Sequence, residues 1–182
     1  MIEIENSLLF RTVKALRAGE ASMRKVSEML NISTSTAHEY LTKMHKEGLL
    51  IKKEVGKTHL YSINIENVLA RYMKIIISLA ELNVSRIVDE IRKENSSVIS
   101  IVLYGSTARG DDDEKSDFDI LIISRKKEKI GGLRSQRSVK RIINLEQYML
   151  SEWKRKASDD KIFYDKVIVD GIPLFGEIPI VI

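Results

Sequence analysis

Apolar residues recur every three or four positions through the first third of the chain, and that spacing predicts three short helices. Leu9, Val13 and Leu16 form the stripe of the first, which starts near Ser7 and can end at Gly19, since glycine tolerates the left-handed conformation. Ser22 is the N-cap of a second helix that buries Val26, Met29 and Leu30. A tight turn at Asn31-Ile32 follows, and Ser33 caps a third helix built on Ala37, Tyr40, Leu41 and Met44 and closed by Gly48. Leu49 to Ile51 and His59 to Ile63 then read as two strands joined by a basic turn over residues 52–58. Residues 66–82 make a helix apolar on most sides, which must be covered by the rest of the protein or by a second copy of the chain. After Asn83 another helix places Val84, Ile87, Val88 and Ile91 on one face and ends near Glu94-Asn95.

From Val98 the pattern changes. Val98 to Tyr104 is a continuous apolar run, expected of a buried strand; a polar turn from Gly105 to Gly110 and an acidic loop lead to a second strand, Asp117 to Ile123. Side chains alternate along a strand, so Asp117 and Asp119 share a face roughly 7 Å apart while Phe118 takes the other. Two carboxylates so placed suit a hard cation such as Mg²⁺ or Mn²⁺, which binds through one or two carboxylates plus substrate phosphates. Gly105 lets the backbone approach a phosphate, and Ser106 offers a hydroxyl and nearby amides. Two such ions stabilise the attacking and leaving oxygens of an in-line phosphoryl displacement. Arg141 to Gln147 is the candidate third strand and Ile172 to Gly176 the closing one, with Tyr148, Trp153 and Phe175 assigned to the core.

The 182 residues, 43% hydrophobic and 31% charged, leave room for one domain or two small ones. The absence of cysteine excludes a disulfide framework and makes the cytoplasm the expected location. The most apolar run, residues 68–82, is broken by Arg71, Lys74 and Glu81 and falls short of the roughly 20 residues that cross a bilayer, so no membrane partner is expected. The first residues lack the features of a signal peptide. A net charge of +4 permits a polyanionic partner, but the charge is concentrated. Residues 125–141 hold eight Lys or Arg against Glu128, a net of +7, and read either as an arm touching nucleic acid, an acidic partner or a triphosphate, or as a solvated surface. Asp111, Asp112, Asp113 and Glu114 read as a solvated acidic loop, and His38, His45 and His59 fit no zinc spacing.

The stretch VSEMLNISTSTAHEYLTKMHKEGLLIKKEVGKTHLYSI resembles a winged helix-turn-helix in its apolar spacing and its Gly-Leu-Leu entry to the wing. The resemblance implies a double-stranded DNA partner: Thr34, Ser35, Thr36 and His38 would face base edges, Lys43 and Lys46 phosphates, and Lys52, Lys53, Lys57 and His59 would serve the wing. Between Ser22 and Leu60 the net charge is only +3, which implies moderate, salt-sensitive affinity. Many winged-helix regulators dimerise through a helix after the wing, so a homodimer is expected.

Gly105-Ser106, ten residues, then Asp117-x-Asp119, with Arg109-Gly110 and Ser116 between, resembles the DNA polymerase β-like nucleotidyltransferases, and in particular their minimal, MNT-type branch. The resemblance covers Val84 to about Gly176. It implies transfer of a nucleoside monophosphate from a nucleoside triphosphate, ATP first, to a hydroxyl, with release of pyrophosphate. Asp117 and Asp119 would hold Mg²⁺, and Gly105, Ser106, Arg109 and Ser116 the nucleotide. The family's third carboxylate, on a later strand, matches Asn144, which cannot act as a base; Glu146, two residues along the same face, is the candidate replacement. MNT-type proteins pair with HEPN-domain toxins and add AMP to them, which makes a HEPN-domain protein an alternative partner; a catalytically inactive regulator or scaffold is the other alternative. The expected architecture is α+β: a winged helix over 1–65, a linking and dimerising helix over 66–83, and a small mixed-sheet nucleotidyltransferase fold over 84–182.

Overall fold

The structure is a computed structural model that describes residues 6–131 and 133–181. Two compact units form, one of residues up to Ile77 with Asp113–Lys115, the other of Ser78–Asp112 and the residues from Ser116 onward.

The first unit contains α1 (Leu8–Leu16), β1 (Ala21–Ser22), α2 (Met23–Leu30), α3 (Thr34–Lys46), β2 (Leu50–Val55), β3 (Thr58–Ile63) and the first half of α4 (Val68–Ser85). Each of its first three helices begins as the sequence predicts, with Ser7, Ser22 and Ser33 accepting the amide N–H of the residue three positions on. Asn31 turns the chain between α2 and α3 in the left-handed conformation. Val13, Leu16, Val26, Leu30, Leu41, Met44 and Tyr61 form one core, onto which Met73 and Ile77 of α4 pack. Met29 proves to be exposed because Val26 and Leu30 already fill the inward face of α2, and Tyr40 is only half-buried because Ala37, Leu41 and Met44 take the inward face of α3. The wing also differs from expectation. Strand pairing runs from Leu50 with Ile63 to Val55 with Thr58, leaving only Gly56-Lys57 as the turn, and β1 adds a third strand beside β3. Gly56 takes the positive φ that a two-residue hairpin turn asks of its first residue. The consecutive charged residues Lys52, Lys53 and Glu54 carry no hydrophobic signal, so the strand ends are invisible in the pattern.

The second unit continues from α4 into α5 (Ile87–Glu94), β4 (Val98–Tyr104), α6 (Gly105–Arg109), β5 (Phe118–Ser124), a 3₁₀ turn (Arg134–Arg137), β6 (Ile143–Met149), α7 (Leu150–Asp159), α8 (Lys161–Asp170) and β7 (Ile172–Phe175). The break between α4 and α5 falls at Arg86, in the left-handed conformation, and not at Asn83; Val84 therefore ends an outward face of α4 and is 74% exposed. On the earlier turns of α4, Val68, Leu69, Tyr72 and Ile76 are exposed as well. The sheet order is β6-β5-β4-β7, with β5 and β6 parallel and the other pairs antiparallel. Alternation sorts the side chains into two layers. Ile101, Leu103, Phe118, Ile120 and Ile122 pack with Ile87 and Ile91 of α5, whereas Val102, Leu121 and Ile123 pack with Trp153, Tyr164 and Val167 of α7 and α8. Cover on both faces explains why β4 and β5 read as unbroken apolar runs.

Two polar assignments made from the pattern are overturned. Asp112 is buried, 3% exposed, and Arg141 is no part of a solvated arm: its guanidinium donates to Asp112 Oδ2 at 2.9 Å, to Thr107 Oγ1 at 2.8 Å and to the carbonyls of Ser116 and Asp117. It also lies over the Phe118 ring, 4.2 Å from the centroid. This clamp ties the entry of β6 to both ends of the loop that carries the aspartates. Removing one partner of a buried, hydrogen-bonded ion pair costs about 3–5 kcal/mol. Arg141→Ala should lower the unfolding free energy by about that amount in urea titration, and Asp112→Leu/Arg141→Met should recover much of the loss.

Candidate functional site

Asp119 lies in the middle of a row, paired in register with Tyr104 of β4 on one side and Asn144 of β6 on the other. Asp117 ends the preceding loop, where its carbonyl accepts from Thr107 Oγ1 at 3.0 Å. Both carboxylates meet at one amide: Asn144 Nδ2 donates to Asp117 Oδ2 and to Asp119 Oδ1, at 3.1 Å each. Against Asp119 sits Gly105. Its φ is +77°, and a Cβ built on it would lie 2.5 Å from Asp119 Oδ2, so only glycine lets the backbone of the Gly105-Ser106 turn touch the carboxylate.

Gly105, Asp117, Asp119 and Asn144 are thus brought together, with Ser106 half-buried in the first turn of α6 beside them. Arg109 is exposed, in surface ion pairs with Asp111 at 3.1 Å and Asp170 at 4.0 Å. Ser116 offers its carbonyl to Arg141. Glu146 accepts from the Tyr148 hydroxyl at 3.4 Å and shows no hydrogen bond to either aspartate. Burial, followed by the charges of Glu146 and Asp119, pushes the Tyr104 phenol well above its ordinary pKa. The donor set fits Mg²⁺ or Mn²⁺, being two carboxylates beside a backbone that can receive phosphate, and the Asn144 carboxamide can present its oxygen by rotation. Among the described residues no group of three or more acidic or histidine side chains converges as a metal site.

On α3, Thr34, Ser35, Thr36, His38, Lys43 and Lys46 are all exposed, with the Ser35 and Thr36 hydroxyls each 2.8 Å from Ser33 Oγ. Lys53 and Lys57 are exposed on the wing and Lys52 is half-buried; Lys53 lies 3.8 Å from Glu20. The histidines are apart in their bonding, His45 to the Leu50 carbonyl and His59 to Glu54. Sequence reasoning missed Arg141, Asp112, Thr107 and Tyr104. Only Arg141 carried a signal, as a cation directly abutting an apolar strand.

Residues 84–170 match the nucleotidyltransferase domain family, and residues 8–51 match the winged helix-turn-helix DNA-binding family. Among curated proteins none matches the chain. A DNA-binding protein from Sulfolobus solfataricus is similar in structure at 19% identity and a TM-score of 0.34, over 48% of this chain and 94% of its own. HmgR from Pseudomonas aeruginosa is similar at 14% identity and a TM-score of 0.30, over 76% of this chain and 51% of its own. Both likenesses are too slight to carry an argument. Among the described residues no helix is long and apolar enough to cross a membrane. The two family matches, each falling on one unit of the fold, make this an α+β chain in which a winged helix-turn-helix DNA-binding domain is joined to a nucleotidyltransferase domain.

Proposed function

We propose that the nucleotidyltransferase domain binds a nucleoside triphosphate, ATP first, together with Mg²⁺ or Mn²⁺, and transfers its nucleoside monophosphate to a hydroxyl acceptor, in a protein that its winged helix holds on duplex DNA. The observation that carries the reading is the abutment of Gly105 on Asp119, with no side chain between the backbone of the turn and the carboxylate. Asp117 and Asp119 would hold the cation, which when bound supplies charge stabilisation to the oxygens of the displaced phosphoryl group. Gly105 and Ser106 would hold phosphate oxygens through backbone amides and the hydroxyl. Arg109 can exchange its two surface ion pairs for the triphosphate, since such pairs are each worth little. Thr34, Ser35, Thr36 and His38 would face base edges, and Lys43, Lys46, Lys52, Lys53 and Lys57 phosphates.

The proton of the attacking hydroxyl is the weak point. Asn144 accepts no proton, and Glu146, the next carboxylate along the face, is engaged by Tyr148. A second reading therefore has its own support: the domain binds the nucleotide as a signal without turning it over.

Gly105→Ala should weaken triphosphate binding in the presence of Mg²⁺ by at least about tenfold in calorimetric titration while leaving the thermal melt within a few degrees, because the methyl group displaces Asp119 and not the core. Incubation with α-labelled triphosphate and native lysate separates the two readings. Transfer predicts label on an acceptor, lost in Asp117→Ala/Asp119→Ala and increased by Asn144→Asp; signalling predicts saturable binding with no label transferred.

A further inference from the structure

The connection from β5 to β6 carries a charge that neither fold nor site accounts for. Outside residues 125–140 the second unit has ten Lys or Arg, the clamped Arg141 among them, against fifteen Asp or Glu, a net of −5, while those 16 residues alone are net +6. An otherwise acidic domain has one basic face.

That face is built and held. The Lys126 amide donates to Ser97 Oγ at 3.1 Å, and its carbonyl accepts from Asn95 Nδ2 at 3.0 Å and Ser124 Oγ at 2.8 Å. Farther along, the amides of Gly131 and Ser135 donate to the carboxylates of Glu94 and Glu90, at 3.0 Å each. The bond from Ser135 holds Glu90 below its ordinary pKa, so this anchorage is in place at neutral pH and is lost only as the pH falls through that depressed value. Leu133 is buried, with Ile130 and Val139 packed on the same core. The apolar side chains therefore point inward and the cations outward: Arg125, Lys126, Lys129, Arg137 and Lys140 are exposed, and none of the five forms an ion pair among the described residues. Lys127 lies 3.7 Å from Glu152.

Fixed, unpaired like charges repel one another, and a polyanion laid across them relieves that repulsion and releases its counterions. We infer that the exposed face of residues 125–140 is a second contact for the phosphate backbone of duplex DNA. The inference rests on the reading of the first unit as DNA-binding. DNA is favoured over an acidic protein because the winged helix, net +3 between Ser22 and Leu60, neutralises few phosphates by itself. A second basic surface on the same chain acts on already-bound DNA at an effective concentration of order millimolar.

The test uses the full chain, a random duplex of about 30 base pairs and fluorescence anisotropy between about 50 and 200 mM KCl. In Lys126→Ser/Lys129→Ser/Arg137→Ser/Lys140→Ser the slope of log affinity against log salt should flatten by about 3 to 4, since each phosphate contact contributes about 0.9, and binding at about 100 mM should weaken at least tenfold. The backbone anchors are untouched, so the thermal melt should stay put, and Lys126→Arg/Lys129→Arg/Lys140→Arg should retain the wild-type slope. An unchanged slope in the serine variant overturns the inference; if Lys43→Ser/Lys46→Ser weakens binding in the same assay, the winged-helix reading stands without it. Displacement of poly-glutamate, but not of DNA, by the serine substitutions assigns the face to an acidic protein and likewise overturns it. Failure of the wild type to bind duplex overturns both.

Discussion

Asp117, at the end of the loop, and Asp119, on β5, bring two carboxylates to one amide, and the second unit is arranged around holding them there. Both carboxylates accept from one N–H₂ group, Asn144 Nδ2. The parallel pairing of β5 with β6 sets Asn144 opposite Asp119, so the sheet register decides which side chain meets the pair. Gly105 leaves the other side open to the backbone. Arg141 fixes the frame: by gathering Thr107, Asp112, Ser116 and Asp117 it pins the loop before β5 at both ends, so that the aspartates arrive at the sheet in one geometry.

The clamp and the site divide the polar work of the domain. Arg141 and Asp112 are buried and their charges satisfied by each other, which makes them architecture. The aspartates and Asn144 are not buried, and what joins them is the two hydrogen bonds from one amide. Asn144 stands where the resemblance implies a third carboxylate, and its amide bonds both aspartates without adding a third negative charge.

Much of this was legible in the chain. The serine caps Ser22 and Ser33 marked α2 and α3, and alternation along Asp117 to Ile123 assigned the aspartates to one face; the strand itself begins at Phe118, yet both carboxylates do meet at Asn144. Arg141 was illegible for a physical reason. Within a basic run every cation reads as solvated, and the partners that bury this one lie 24 to 34 residues earlier in the chain. Asp112 hid in the same way among acidic neighbours, of which only this one meets the guanidinium. The outer ends of the wing strands escaped because an exposed strand pair need not alternate, and the anchorage of residues 125–140 because it is made by backbone amides, which carry no sequence signature.

The central claim is that Asp117 and Asp119 together hold a divalent cation with the triphosphate, and electron paramagnetic resonance of Mn²⁺ tests it most directly. Titrating Mn²⁺ into the wild type should show protein-bound ion that increases when a nucleoside triphosphate is present beyond what the nucleotide binds alone; Asp117→Asn/Asp119→Asn, which keeps shape and removes charge, should show no such increase. Equal Mn²⁺ binding by the two proteins in the presence of triphosphate would contradict the account.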